Sequence, residues 1–516
     1  MTRILKFKNF FKNIPYLPSL YGIFPVLFLF VHNISELQYE MLWLPLFAVI
    51  FVILIFTVVL SIFVQDYRKS GLILSLFFML FLSYGNFKEL LLGGWLEDLG
   101  IIRDKYLYSL GILFFGLASY FIMRASDLKT VYGFFKTMGC VLITISLVSM
   151  GFSAYSTNKR NNVSSLDGTG QIDLSQKQNF PDIYYIIPDS YGRADTLKEL
   201  YNYDNGEFIN FLKKKGFSVL SDSNSNYQNT ILSIPTTLNM DYWDNLLPET
   251  IREDDFTNKI QNSRVQQFLG ERGYKTIFLN SGYGITSFNK YSHLKFDPSY
   301  INDFSTRIIE NSLLKYFVIK RQFFGFNLKN EERKRILYNL EKLKEVSEID
   351  GPKFVFSHIN VPHSPFLFDR NGGEVDVDWA SVTSSEQYND LWLDQLIFIS
   401  KQLSSVVEAI LAKSKTPPII IIQSDHGPDM MSLWSDEFSE ADMRERIKNF
   451  SALYLPNGKD QLLPDNMTNV NTFRFIFKNY FNADYSLLEN KIYTYYDYSL
   501  IKHRSDLKNI KLVPRN

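Results

Sequence analysis

Pro417-Pro418-Ile419-Ile420-Ile421-Ile422-Gln423-Ser424-Asp425-His426-Gly427 is the stretch whose reading decides the fold. Four consecutive Ile after a Pro pair predict a strand buried on both faces, the pattern of a central strand in a parallel sheet. The apolar run stops at Ser424-Asp425-His426-Gly427, and ligands of open α/β sheets collect at the carboxyl ends of strands. An adjacent Asp and His there offer a hard oxygen and an imidazole to a divalent metal. Gly427 is expected to let the backbone turn away sharply. A polar strand end followed by a turn has the same composition, so the stretch argues for a site only together with matching strand ends elsewhere.

Working outward, Asp182-Ile183-Tyr184-Tyr185-Ile186-Ile187 reads as another buried strand, closed by Pro188-Asp189-Ser190. A helix is predicted from Asp204, with Phe208, Phe211 and Leu212 on one face, and a strand over Phe217–Leu220. Val265–Leu269 predicts a helix, and Lys275–Leu279 and Lys353–His358 predict strands. A long amphipathic helix over Leu391–Leu411 leads into the Ile419 strand, and Ser451–Leu455 is a late strand. Strands alternating with helices predict an α/β domain with a mostly parallel sheet flanked by helices on both faces. The aromatic run Tyr493-Thr494-Tyr495-Tyr496 is expected to be a strand packed on that sheet, packing being the default over contact with a glycan.

Asp189 should reach the same edge of the sheet as Asp425 and His426. Two carboxylates and an imidazole suit a hard or borderline divalent cation, Mn²⁺, Zn²⁺ or Mg²⁺. The polar stretch Asn226–Asn239 opens into a candidate helix containing Thr230 and Ser233. A hydroxyl at a helix N-terminus meets unpaired N–H groups, and a metal-bound Thr or Ser hydroxyl becomes a nucleophile. Simple capping by either residue is the alternative. His363, in His358-Ile-Asn-Val-Pro-His363-Ser-Pro after a strand, is a candidate to hold a phosphate oxygen or protonate a leaving group. Arg193 is a possible phosphate contact, with an ion-pair role favoured.

The chain has 516 residues and a net charge of +0, which gives no hint of nucleic-acid binding. Its apolar runs are segregated before residue 157. Five spans are predicted: Leu17–Ile34, Leu42–Val64, Gly71–Phe87, Tyr106–Met123 and Met138–Tyr155. Basic residues alternate between loops: Arg3, Lys6, Lys8 and Lys12, then Arg68 and Lys69, then Arg124, Lys129 and Lys136. That alternation puts the N-terminus in the cytoplasm and the large C-terminal part outside. The first span lacks a small-residue cleavage pattern and is expected to remain as an anchor. The predicted organisation is a transmembrane anchor over 1–156, a polar linker over 157–180, and an extracytoplasmic domain over 181–516. The sole Cys, Cys140, lies in the fifth span, so no intramolecular disulfide forms.

The order strand-Asp189, then Thr230-Ile-Leu-Ser-Ile-Pro235, then His363-Ser-Pro365, then Ser424-Asp425-His426-Gly427 resembles the sulfatase-like branch of the alkaline phosphatase superfamily. With a five-span anchor it is similar to membrane-anchored lipoteichoic acid synthases and phosphoethanolamine transferases. The resemblance implies an alkaline phosphatase/sulfatase-like fold and one divalent metal ion held by Asp189, Thr230, Asp425 and His426. It further implies Thr230 as nucleophile and His363 as a substrate-phosphate contact. The implied activity moves a phospholipid head group, phosphoglycerol or phosphoethanolamine, from a lipid donor to a surface glycan or lipid acceptor. A phosphate- or sulfate-ester hydrolase, and a non-catalytic surface protein that kept the fold, are the alternatives. Asp189 stands where the named transferases carry Glu. The Cys-x-Pro-x-Arg signature of formylglycine sulfatases is absent, and no His follows closely after Asp-His-Gly.

Overall fold

Hydropathy divides the molecule. The computed structural model describes residues 15–34, 37, 39–92, 104–161, 180–246, 253–298, 303–315, 328–375, 377, 382, 384–428, 439–494 and 511–512. Two units result, one formed by Met1–Gln171 with Tyr300–Leu328 and the other by Ile172–Ser299 with Lys329–Asn516.

In the apolar unit, helices cover Leu17–His32, Tyr39–Phe63, Tyr67–Leu82, Asp104–Arg124 and Lys129–Asn161, with a short helix at Tyr84–Leu92. Tyr39–Phe63, Tyr106–Arg124 and Lys129–Ser153 are each long and apolar enough to cross a membrane, and Leu17–His32 is a shorter apolar helix. Large apolar side chains such as Phe47, Phe51, Phe63, Ile112 and Phe121 face outward, as a hydrocarbon solvent requires. The third span begins earlier than expected, at Tyr67, because Asp66 caps it by accepting from the Arg68 and Lys69 N–H groups. The fifth begins at Lys129 and its helix continues through Asn161, past residue 156.

Helix Asp303–Asn311 belongs to this unit. Phe304 and Ile308 are buried with Val26, Leu27, Phe30, Leu42 and Leu82, and the Phe304 ring meets Phe30 edge-on at 5.2 Å. Arg307 hydrogen-bonds Asn33, and Leu313 N donates to Phe81 O at 2.9 Å. The ends of the first and third spans therefore share one side, as alternating crossings demand.

In the other unit, seven strands make one sheet: β1 (Ile183–Pro188), β2 (Phe217–Val219), β3 (Lys275–Leu279), β4 (Leu294–Phe296), β5 (Lys353–Ile359), β6 (Ile419–Gln423) and β7 (Ser451–Tyr454). The order is β2-β7-β6-β1-β5-β3-β4. β1 pairs in parallel with β5 and β6, and β3 in parallel with β5 and β4, while β7 runs antiparallel to β6 and β2. Successive side chains of a strand go to opposite faces. Tyr184, Ile186, Val355, Ile420 and Ile422 pack on one face; Ile183, Tyr185, Ile187, Phe356, Ile419 and Ile421 pack on the other.

Among the helices that cover this sheet or border its carboxyl edge are α1 (Thr230–Asn239), α2 (Leu328–Glu345), α3 (Ser385–Lys413), α4 (Glu440–Ile447) and α5 (Thr472–Phe481). α2 and α3 cover the first face, α1 and α5 the second. α3 also has the length and hydropathy of a membrane span. Its apolar face, with Trp392, Leu396, Ile399, Leu403 and Val407, is buried against the sheet, which makes it a core helix.

One expectation is corrected. Tyr493–Thr494 (β8) pairs with Lys511–Leu512 (β9) in a separate two-stranded sheet instead of packing on the main one. The Tyr493 ring is taken up by Tyr227, stacked at 5.2 Å, and by Tyr242. Tyr495 and Tyr496 lie outside the described residues.

Candidate metal centre and nucleophile

β5, β1 and β6 are adjacent and parallel, so their carboxyl ends open on the same edge. Ile187 of β1 pairs with His358 of β5, and Ile186 pairs with Ile422 of β6. Two residues past Ile187, Asp189 is fixed by its N–H donating to Ile359 O at 2.9 Å. Asp189, His358 and Asp425 are buried, and each presents an atom within 4.8 Å of the others, an arrangement able to hold a metal ion. His358 Nε2 lies 3.4 Å from Asp189 Oδ2. His426 Nε2 lies 3.5 Å from Asp189 Oδ1 and 3.6 Å from Asp425 Oδ2.

The hydrogen bonds behind the imidazoles fix which nitrogen faces inward. His426 Nδ1 is 2.7 Å from Gly427 O, and a carbonyl only accepts, so Nδ1 carries the proton and Nε2 presents its lone pair. His358 Nδ1 is 2.7 Å from Thr286 Oγ1, whose own proton can go to Tyr283 O at 3.2 Å. Nδ1–H then donates to that hydroxyl and Nε2 again faces the carboxylates.

The fit to a cation is visible in what these atoms lack. Asp189 Oδ1, Asp425 Oδ2 and His358 Nε2 are buried with no hydrogen-bond partner. Orphaned buried acceptors are costly, and one shared divalent ion satisfies all three. Burial pushes the Asp189 carboxyl up, but the imidazoles of His363, His358 and His426 more than offset this and hold it well below the usual carboxylate range.

α1 brings the hydroxyl. Asn229 Oδ1 caps the helix by accepting from Leu232 N at 3.1 Å. Capping is therefore not the role of Thr230, which is buried at the first helical position, where backbone N–H groups have no intrahelical partner. Ser233 is committed elsewhere: its hydroxyl donates to Asp425 O at 2.6 Å, docking the first turn of α1 on the end of β6. Of the two hydroxyls, Ser233 is thus the one engaged in docking the helix.

His363 comes to the same place, its ring 6.4 Å from that of His426 and nearly perpendicular to it. Its Nδ1 is 2.6 Å from Ser364 O. Arg193 does not join them. Its guanidinium pairs with Asp195 at 2.7 Å and Asp222 at 3.2 Å, and donates to Ser223 O at 3.0 Å. The ion-pair role is the one it fills.

Gly427 is required for a reason other than a turn. A Cβ there would lie 2.2 Å from Glu445 O and 2.7 Å from Lys448 O, so the strand end and the end of α4 approach too closely for any side chain. The Gly427 N–H donates to Arg446 O at 2.6 Å in that contact.

Sequence reasoning passed over His358. The signal was present, since His358 follows Ser357 near the end of a strand that proves to lie directly beside the Asp189 strand. His363, in the more conspicuous Pro-His-Ser-Pro setting, drew the assignment instead.

A sulfatase family model matches residues 181–476. Among solved structures, the C-terminal periplasmic domain of EptC from Escherichia coli, in complex with Zn, is 14% identical, with a TM-score of 0.41 over 61% of this chain and 90% of that one. Lipooligosaccharide phosphoethanolamine transferase A from Neisseria meningitidis, an integral membrane protein, is 11% identical, with a TM-score of 0.40 over 89% of this chain and 94% of that one. BT1596, a 2-O glycosaminoglycan sulfatase, is 13% identical, with a TM-score of 0.41 over 63% and 80%. Among curated proteins none matches.

Proposed function

The chain belongs to the sulfatase family, and on that premise we propose that it is a membrane-anchored, metal-dependent phosphotransferase acting at the outer face of a bacterial-type cytoplasmic membrane. The observation that carries the proposal is the cluster of orphaned acceptors on Asp189, His358 and Asp425, next to a helix whose first residue is Thr230. Asp189, Asp425, His426 and Thr230 hold the ion in this reading, and His358 joins them as a further ligand. Three oxygens and two imidazoles favour Mn²⁺ or Zn²⁺, with Mg²⁺ the harder alternative. When bound, the metal supplies Lewis-acid polarisation and lowers the pKa of the hydroxyl.

The protein's own groups do the rest. Thr230, ionised with its Oγ1 proton given up to solvent, attacks phosphorus of a lipid head group; the Oγ1–P bond forms and the P–O bond to diacylglycerol breaks. His363 gives its proton to the leaving oxygen. The unpaired N–H groups at the start of α1 face the charge that develops on the phosphoryl oxygens. An acceptor hydroxyl on a surface glycan or lipid, deprotonated by His363, then takes the phosphoryl group from phosphothreonine.

Placement outside the cell is supported by charge and by packing. Arg68, Lys69, Arg124 and Lys129 lie in alternate loops, which puts the ends of the first and third spans outside. Helix Asp303–Asn311, reached from the α/β stretch, packs on those same ends. Anchoring keeps the donor lipid at high effective concentration.

The test is intact and peptide mass spectrometry of the full-length protein incubated with phospholipid vesicles. A phospho-adduct on Thr230 is expected, and its mass names the head group. Release by added glycan rather than by water identifies a transferase; release by water alone identifies a hydrolase with the same machinery. No adduct at Thr230, in metal-loaded protein, refutes the reading.

A further inference from the structure

Beside the metal ligands, helix α2 closes against the segments that follow β3 and β5. Arg335 is only 8% exposed. Its guanidinium lies over Gly282, where a Cβ would come within 1.8 Å of Nη1 and where φ is +79°, so a glycine is needed twice over. Asn339, one turn further along α2, donates to Asn280 O at 2.7 Å and ties the helix to the same segment. Asn360 follows β5 and is also 8% exposed; its Nδ2 donates to Ser281 O at 3.1 Å. Asn360 Oδ1 is buried with no hydrogen-bond partner. Glu332, one turn before Arg335 on the same helix face, faces Asn360, Arg335 and His363. A carboxyl, a guanidinium and an unsatisfied amide oxygen therefore lie together, with His363 near enough to act on the carboxyl.

We propose that Glu332, Arg335 and Asn360 form the subsite for the neutral, hydroxylated part of the substrate, a polyol such as glycerol or a sugar ring. The proposal rests on the phosphotransfer reading and names its substrate class. A polyol hydroxyl donates to Glu332 and to Asn360 Oδ1 while its oxygen accepts from Arg335, which supplies the amide oxygen with the donor it lacks. An ammonium group fits worse, because Arg335 repels the cation that Glu332 attracts. Burial also pushes the Glu332 carboxyl above its ordinary range, with Arg335 pulling it partly back, which weakens its hold on a cation further. The metal grips the phosphoryl end; this subsite reads what the phosphorus is attached to.

The experiment uses full-length Thr230→Ala protein in detergent with Mn²⁺, which cannot turn over, and calorimetric titration with four probes. These are inorganic phosphate, glycerol 1-phosphate, glucose 1-phosphate and phosphoethanolamine. One of the two polyol phosphates is expected to bind at least about tenfold tighter than inorganic phosphate, the gain of one hydrogen bond to a charged group. Glycerol 1-phosphate in that role points to a lipid head group, glucose 1-phosphate to a glycan. Phosphoethanolamine is expected to bind no tighter than inorganic phosphate. Adding Glu332→Ala or Asn360→Ala should erase the polyol advantage and leave metal-dependent phosphate binding intact, which also shows that the variant is folded. Phosphoethanolamine binding tightest, or a polyol advantage that survives both substitutions, overturns the subsite alone. Phosphate that fails to bind in a metal-dependent way overturns the phosphotransfer reading and the subsite with it.

Discussion

Replacing His358 by Ala separates a metal ligand from a buried structural histidine. His358 is fully buried, bonded at Nδ1 to Thr286, and its Nε2 faces Asp189 at 3.4 Å. An ion held at a hundred times its Kd stabilises the folded protein by about 2.7 kcal/mol. At roughly 2–4 °C per kcal/mol, that is about 5–11 °C of chelator-sensitive Tm in the parent. Losing a ligand should cost at least the ~100-fold in affinity that loss of an outer-sphere partner can cost. At the same free metal the site is then about half occupied, and its stabilisation falls to about 0.4 kcal/mol, or roughly 1–2 °C.

The substitution also opens a cavity and strands Thr286, which lowers Tm by an amount of its own. That loss is common to the metal-loaded and chelated samples and cancels in the difference. The assay is therefore Tm with Mn²⁺ minus Tm with EDTA, measured for the parent and for His358→Ala. A difference near that of the parent refutes His358 as a ligand and restricts the metal to Asp189, Asp425, His426 and Thr230. No difference in either protein refutes the metal centre itself.

Thr286→Val removes the hydroxyl that orients His358 and should weaken metal binding about 10–100-fold without removing a ligand, readable by metal titration. Thr230→Ala should abolish the phospho-adduct and head-group transfer while Asp189, His358, Asp425 and His426 still bind metal, readable by mass spectrometry beside metal analysis. Gly427→Ala forces a Cβ against two backbone carbonyls and should destabilise by about 1–3 kcal/mol in thermal unfolding. For Glu332→Gln the sign follows from linkage. Burial raises the folded pKa of Glu332 above its unfolded value, so the folded state holds a proton that the unfolded state has lost. That burden is absent below the unfolded pKa and grows as pH rises through the folded one. The variant should therefore gain on the parent in Tm from pH 4 toward pH 7, and a gap that stays constant with pH refutes the assignment.

The α/β rhythm was legible because its central strands are buried on both faces. Ile419–Ile422 and Ile183–Ile187 can belong to few other contexts, and their chain direction alone brings Asp189, Asp425 and His426 to one edge. The membrane helices were legible for a similar reason, since lipid allows long runs without charge; only their ends moved, where Asp66 supplies a cap. α2 left a weak trace. Its sequence is dominated by Lys, Glu and Arg, and only Ile336, Leu340 and Leu343 mark a buried stripe. The roles of individual polar residues depended on neighbours distant in sequence. Whether Thr230 caps its helix was decided by Asn229 and whether Ser233 reacts by the carbonyl of Asp425; whether Arg193 meets phosphate was decided by Asp195 and Asp222.

The same logic explains why the ligand set is assembled from strand ends. Each central strand is locked in register by its neighbours over four to six residue pairs, so residues at or just past its end inherit that rigidity. Asp189, His358 and Asp425 are held close enough to share a cation even though their mutual desolvation opposes it, and a metal is the partner that reverses the sign of that cost. Thr230 is held by a different route: its helix is pinned by the Ser233 hydroxyl on the backbone carbonyl of Asp425, so the proposed nucleophile is referenced to the chain at a proposed metal ligand. Removing that contact should therefore misplace the hydroxyl without touching a ligand side chain. Ser233→Ala should consequently lose transfer activity while its metal affinity stays near that of the parent, with rate and metal titration measured side by side. An unchanged rate would show that the Ser233 contact positions nothing that the reaction uses.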